Sequence, residues 1–544
     1  MFFFSENIAI MINRNYPISA HYFPKLIENN AIYVDKTQFI VPLLAHKNNA
    51  TYFLSRPRRF GKSLLVSALE HVFRGRQDLF KGLYIYDKIE WEEFPVIRFS
   101  LDKIGFIELG LKEALLQAVQ GVAKTYGITL ERTEHNLCFE ELIMKLQEKY
   151  QKNVVLLVDE YDKPIIYYVE HDNMQQAETN RDILKSFYGV LKDSGQFLRF
   201  TFLTGVSKFS KVSIFSDLNQ FDDLTLNPKF ATICGFTHTE LEHYCGQGLI
   251  DLAEKEGTSY EAIVEKVRFW YNGFSWDAKN FVYNPFSTML LMQHQVFNNY
   301  WFESGTPTFL VNLIQSDIKY DFRNMQVDSS IYSWHNLRNL DYISIMLQTG
   351  YLTFKEHIVD HIYTVNYPNK EVENAFSKML LESYTHTMQG RMSVTIFDVE
   401  TAFKRNDVER VISIISNMFK ALPHQFFYKD TETTDRKGHT KTVKKAVNEN
   451  FYHAIIYLVF SILGIKMPVE INTQEGRIDA VVETDTHIYI FEFKKNRKPD
   501  VAMQQMKDRN YAAHYGLSKK QIVLIGVCFT MQKKGISGHL VEAI

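Results

Sequence analysis

Between residues 50 and 235, short apolar runs alternate with stretches of helical periodicity. Tyr52-Phe53-Leu54-Ser55 predicts a strand, and Leu64-Leu65-Val66-Ser67-Ala68-Leu69 the helix after it. Further strands are predicted at 94–99, 153–158 and 197–203, with helices over 109–126 and 139–150. The runs near 155 and 200 are apolar at every position rather than at alternate ones. That is the pattern of strands buried on both faces, in a parallel sheet covered by helices. Upstream, Thr37 is placed to cap a short helix in which Pro42 falls near the first turn. Beyond 235 the pattern becomes helical, over 237–256 and 259–270. Tyr271-Asn272-Gly273-Phe274-Ser275-Trp276 is turn chemistry with Asn-Gly at its centre, and Asn284-Pro285 opens another helix. Residues 300–435 mix helices, over 371–388 and 407–419, with a hairpin from 351–354 to 362–365. Residues 430–445 are polar and read as a linker. From 447 a helix apolar almost all round precedes two strands, 477–483 and 487–494, joined by Thr484-Asp485-Thr486.

Composition adds bounds. A chain of 544 residues is too long for one core, so three or four domains are expected. Apolar residues make up 46% and charged residues 23%, as in globular proteins, and the formal net charge is −2. A nucleic-acid contact would therefore need a local basic patch. The four cysteines are scattered without a Cys-x-x-Cys pair, which fits a reducing cytoplasm and no zinc site. Met1-Phe2-Phe3-Phe4-Ser5 has no basic residues before it, so no signal peptide is read there, and Met11 is an alternative start. No run reaches the roughly 18 apolar residues of a membrane span, so no membrane partner is expected.

The chemistry begins at Arg56-Pro57-Arg58-Arg59-Phe60-Gly61-Lys62-Ser63, between the first strand and its helix. A Gly lets backbone approach phosphates, and the helix N-terminus supplies free N–H donors and a favourable dipole. Lys62 is placed to reach the β and γ phosphates, and Ser63 to ligate magnesium. The leading Gly of the full phosphate-loop pattern is replaced by Arg56. That Gly serves turn geometry, whereas Gly61, Lys62 and Ser63 make the contacts. The guanidinium groups of Arg56, Arg58 and Arg59 either meet phosphates or pair with carboxylates. The third strand ends in Asp159-Glu160. Asp159 is placed to hold the magnesium shell and Glu160 to polarise an attacking water. At the tip of the fourth strand Thr204, or Ser207 in its place, is expected to sense the γ-phosphate.

The far end carries a second set. Side chains alternate along 487–494, so Glu492 and Lys494 share a face, and Asp479 comes alongside from the previous strand. Two carboxylates and a lysine converging on a sheet face are costly unless they bind something. A divalent metal on Asp479 and Glu492 would satisfy them, with Lys494 orienting a water or stabilising charge on a scissile phosphate. Glu449, with Glu470 as its competitor, is a further ligand candidate. A following helix carries Gln504 and Tyr511. Arg436, Lys437, Lys441, Lys444 and Lys445 offer an alternative to the linker reading, a phosphate-contacting strip.

These residues carry a resemblance. Tyr33-Val34-Asp35-Lys36-Thr37, the loop from Arg56 to Ser63, and Asp159-Glu160-Tyr161-Asp162-Lys163-Pro164 resemble the AAA-ATPase-like family. Gly476-Arg477-Ile478-Asp479 and Phe491-Glu492-Phe493-Lys494 resemble the PD-(D/E)XK nuclease superfamily that often ends such chains, although Ile478 stands where that pattern has proline. The resemblance implies ATP with Mg2+ at the first site, using residues 56–63, Asp159 and Glu160. It implies a DNA-cutting core of Asp479, Glu492 and Lys494, with Gln504 as accessory and Mg2+ or Mn2+ as metal. The expected architecture is α/β: a P-loop NTPase domain over 1–235, a helical lid over 236–300, a mostly helical middle region over 301–435, and a restriction-endonuclease-like α/β domain over 436–544. The expected function is an ATP-binding, ATP-hydrolysing protein that regulates a metal-dependent DNA nuclease. The alternative is a nucleotide-dependent signalling switch whose last domain binds nucleic acid without cutting. Homo-oligomerisation is left open.

Overall fold

The computed structural model describes residues 16–18, 21–46, 49–208, 221–301, 310, 314, 322–332, 341–385, 389–421, 428–434, 440–446, 455–460, 471–473, 476–516, 518–530 and 535–544. The chain divides into two units, Met1–Leu310 with Phe322–Val372, and Val311–Asp321 with Glu373–Ile544.

The first unit is built on five parallel strands: β1 (Ala50–Ser55), β2 (Val96–Ser100), β3 (Val154–Asp159), β4 (Leu198–Gly205) and β5 (Asp222–Asp223). Their order, β2-β3-β4-β1-β5, sets β4 between the loop-bearing β1 and the acid-bearing β3. All six residues of β3 are buried, as its unbroken apolar run requires. Helices Leu111–Thr125, His135–Tyr150 and Met174–Asp193 supply Leu115, Phe139, Leu142 and Phe187 to the core that covers β3. Helices His238–Glu256, Tyr260–Tyr271 and Pro285–His294 build a second core around Leu249, Ile263 and Leu291. Their starts were legible. Thr237 and Glu240 form a capping box, Ser259 accepts from the Ala262 N–H, and Asn284 accepts from the Ser287 N–H ahead of Pro285. An antiparallel sheet follows, β6 (Met325–Asp328), β7 (Thr353–Val359) and β8 (Ile362–Asn366), in the order β6-β8-β7.

In the second unit, β9 (Tyr428–Thr434) and β10 (Thr440–Ala446) form an antiparallel hairpin. This corrects the linker reading of 430–445. Threonines at 431, 433, 434, 440 and 442 and Val443 give the stretch the β-branched content of strands, which its polarity concealed. The short strands β11 (Ile471–Thr473) and β12 (Gly476–Ile478) pair with each other. The main sheet is β13 (Ala480–Glu483), β14 (His487–Lys495), β15 (Gln521–Thr530) and β16 (Gly535–Ala543), in chain order. Only β14–β15 is parallel, and helix Pro499–Asp508 makes the crossover. Gly526 permits its close approach, because a Cβ there would stand 2.9 Å from the Pro499 carbonyl oxygen and 3.1 Å from Ala502 Cβ. No described helix is long and apolar enough to cross a membrane.

Candidate nucleotide and metal sites

The first site forms where β1 runs into helix Lys62–Phe73. Gly61 turns the corner at φ +91°, a conformation that favours glycine, and Arg59 beside it is also left-handed at φ +68°. The strand end is pinned to its neighbours. The Ser55 N–H donates to Thr225 Oγ1 at 3.0 Å, and the Arg56 N–H to the Gly205 carbonyl at 3.2 Å.

A cavity of about 470 Å³ opens against this turn. Arg58, Arg59, Phe60, Gly61, Lys62 and Ser63 line one side. Cys234, Phe236, Phe286 and Met289 face them from the helical region, and Ile18, Ile32 and Val34 close an apolar end. Such a cavity is large enough for a small-molecule ligand. Two of the loop residues expected to contact nucleotide do not line it. Arg56 is fully buried, and its guanidinium donates to the carbonyls of Ser55, Thr225 and Phe230. Pro57 packs against Gly350, whose missing side chain makes room for it. The other two guanidiniums divide. Arg58 pairs with Glu170 at 2.9 Å, and Arg59 lies over the Phe286 ring, 4.7 Å from its centroid.

The Lys62 ammonium is folded back on its own loop, donating to the carbonyls of Arg56 at 2.9 Å and Pro57 at 3.0 Å. Glu160 lines the cavity in a left-handed conformation, φ +51°. Burial raises its pKa, Lys62 opposes that rise, and Asp159 adds to it. Asp159 is 2% exposed, and its Oδ1 has no hydrogen-bond partner. Asp159 does not line the cavity as Ser63 does, but a buried carboxylate oxygen without a donor, next in sequence to cavity-lining Glu160, is chemistry that fits a magnesium ion carried in on a nucleotide. Thr204 sits otherwise. It is fully buried, and its hydroxyl donates to the Leu54 carbonyl at 2.8 Å. Ser207 donates through both N–H and Oγ to Asp162 Oδ2. Asp162, to which sequence reading gave no role, thus shapes the turn after β4. A Cβ at Gly205 would stand 2.5 Å from Asp162 Oδ1.

The second site lies on β14 and its neighbours. Asp479 precedes β13, and its Oδ2 accepts from the Phe493 N–H at 2.8 Å, which brings it beside Glu492. Glu492 is 1% exposed. Lys494 and Gln505 both donate to its Oε1, while Oε2 has no partner. Burial first, and Asp479 second, push its pKa up to about 7, against the pull of Lys494. Gln505 and Arg509 both donate to the Tyr511 hydroxyl, so a hydrogen-bonded chain leads from the carboxylate to the surface. Gln504, the expected accessory, instead donates to Asp508 on the exposed side of its helix. Helix phase distinguishes the two. Ala502, Met503 and Met506 are buried, and Gln505 shares their face while Gln504 does not. Glu449 and Glu470 lie outside the described residues, and no group of three or more His, Cys, Asp or Glu converges among the described ones. The paired carboxylates, with one buried oxygen lacking a donor, fit a divalent cation.

Comparison with known proteins matches both regions that hold these sites. The family model described as a predicted AAA-ATPase matches residues 17–215, and that of the PD-(D/E)XK nuclease superfamily matches residues 447–537. An uncharacterized protein in the vnfD 5′ region of Azotobacter chroococcum mcd 1 is 34% identical over 552 residues, covering 98% of this chain and 100% of the relative. No solved structure matches. Bearing both domains in this order, the chain belongs to the AAA-ATPase-like family and ends in a PD-(D/E)XK nuclease superfamily domain.

Proposed function

We propose that the first unit binds and hydrolyses ATP and that its nucleotide state regulates a metal-dependent DNA phosphodiesterase in the second. The observation that carries the nuclease reading is Glu492, a buried carboxylate held between Lys494 and Gln505 with one oxygen left without a donor. Burying such a group costs several kcal/mol by general experience, so a fold that keeps it gains something from the position. A divalent ion, when bound, would polarise a phosphate ester and lower the pKa of a water. Asp479 and Glu492 would hold it. Lys494, already beside Glu492, is positioned to donate to the oxygen on which charge develops. In the first unit Lys62 would exchange its two loop carbonyls for phosphate oxygens, Ser63 and Asp159 would hold magnesium, and Glu160 would orient the attacking water. Four free, buried thiols suit the cytoplasm as the working compartment.

Cleavage of plasmid, linear and single-stranded DNA with Mg2+ or Mn2+, with and without ATP, is the direct test. Asp479→Ala is expected to abolish cleavage and Lys62→Ala to abolish ATP binding. A wild-type protein that binds these DNAs and never cuts them would transfer the assignment to the signalling switch.

A further inference from the structure

Lys36 belongs to the Asp35-Lys36-Thr37 stretch, whose role neither site explains. Its neighbours fix the turn. Asp35 Oδ1 accepts from the Thr37 N–H at 2.8 Å and the Thr37 hydroxyl at 2.7 Å, and Oδ2 accepts from the Tyr84 N–H at 2.7 Å. The lysine between them is held on one wall of the cavity that Lys62 enters from another. Its side chain is 11% exposed, and its ammonium donates to both oxygens of Glu240, at 2.8 and 2.7 Å. An ammonium has three donors, and among the described residues Glu240 is the side chain that this one meets. Burial lowers its pKa and Glu240 resists that effect, so the pair costs desolvation at both ends.

The surroundings indicate what would repay that cost. The cavity is lined by five lysine or arginine residues, Lys36, Arg58, Arg59, Lys62 and Lys163, against two carboxylates, Asp102 and Glu160. Burial pushes the Cys234 thiol pKa up and the positive charges of Arg56, Lys62 and Lys36 oppose it, and Cys234, Lys62 and Lys36 all line this cavity. Glu240 pairs with Lys36 and Glu170 with Arg58, so Arg59, Lys62 and Lys163 carry the remaining positive surplus along this open cavity, and such a surplus favours an anion.

We infer that Lys36 is a phosphate-contacting residue of the nucleotide site, held in place by Glu240. This rests on the nucleotide reading above and adds a ligand from outside the loop. Because Glu240 is also the capping-box residue of helix His238–Glu256, donating partners Lys36 and the Thr237 N–H meet on one carboxylate. A ligand that draws on Lys36 therefore pulls on the start of that helix.

The test separates a ligand contact from a merely structural pair. Lys36→Met, Glu240→Gln and the double variant are compared with wild type for binding of N-methylanthraniloyl-ATP and of adenosine, and for thermal unfolding. The double variant leaves no unpaired buried charge, so it is expected to unfold near the wild-type temperature even where Lys36→Met alone does not fold. It is expected to bind the ATP analogue tenfold or more weakly, with adenosine binding unchanged, as roughly follows from losing one hydrogen bond to a charged group. A double variant that binds the ATP analogue as wild type does would overturn the assignment and leave the pair structural. A wild-type protein that binds neither probe would instead overturn the nucleotide reading beneath it.

Discussion

The Arg56 guanidinium stacks on the indole of Trp276, 3.9 Å from the ring centroid, and its two Nη groups donate to three backbone carbonyls. The residue that replaces the leading glycine of the loop is therefore a strut. It ties the loop to the turn at 274–276, and Phe60 reinforces the tie by meeting Phe274 and Trp276 edge-on. Arg56→Ala would remove the side-chain donors to three buried carbonyls, of which Phe230 keeps the Ile233 N–H, and would leave a cavity beneath the indole. The expected loss is about 3 kcal/mol or more, read as a lowered unfolding temperature. Arg59→Ala is expected to weaken nucleotide binding with the unfolding temperature unchanged. An Arg56→Ala protein with wild-type stability would show the strut to be dispensable.

Gln505 and Gln504 separate two kinds of position on one helix. Gln505→Ala removes a donor from Glu492 and from the Tyr511 chain, and an approximately 10- to 100-fold loss of metal affinity or cleavage is expected. Gln504→Ala removes only an exposed pair with Asp508, and cleavage rates should stay within about twofold of wild type. Equal losses in the two variants would refute the helix phase described here.

The acidity of Glu492 gives a pH signature with a defined sign. Its pKa is raised from 4.5 to about 7, so the folded protein holds this proton more tightly than the unfolded chain does. The stabilisation is complete below pH 4.5 and disappears as pH rises through 7, a change of up to about 3 kcal/mol. In EDTA the second unit should thus unfold at a lower temperature at pH 8 than at pH 5.5. Mn2+ must displace the proton, so its apparent affinity should rise with pH by up to about tenfold per unit until 7 and then level off. Isothermal titration across pH 5.5–8.5 measures this, and a flat profile would place the metal elsewhere.

Glu160→Gln keeps the shape of the residue and removes its basicity. ATP binding should survive, while steady-state phosphate release should fall roughly 100- to 10,000-fold. Retained turnover would pass the role of water positioner to another carboxylate of the cavity, with Asp102 first in line.

Much of this was legible in the residues because local rules and global fold agree there. The all-apolar run before Asp159 matched a doubly buried strand, the helical pattern over 237–256 and 259–270 coincides with caps at Thr237 and Ser259, and Asn284-Pro285 opens its helix as expected. What could not be read depended on direction. A strand-end threonine was expected to face ligand, yet Thr204 lies in the middle of the sheet, where the adjacent Leu54 carbonyl claims its hydroxyl. Arginines beside a phosphate loop were read by charge, yet one of them is fully buried. Adjacent glutamines differ only by 100° of helix rotation, which becomes decisive once the buried face is known.

The parallel pairing of β14 with β15 has an implication for the timing of assembly. A ribosome-bound chain that has emerged only as far as residue 510 already carries Asp479, Glu492, Lys494 and Gln505. It lacks β15, the strand that lies against β14 along nine residue pairs and whose Gly526 receives helix Pro499–Asp508. Until that strand arrives, Met503 and Met506 can pack on Ile488 and Ile490 of β14, but the seat at Gly526 that fixes the helix carrying Gln505 is missing. The groups of the candidate site are thus synthesised before the strand that completes their alignment, and topology alone delays the finished arrangement until the last part of the sheet has formed.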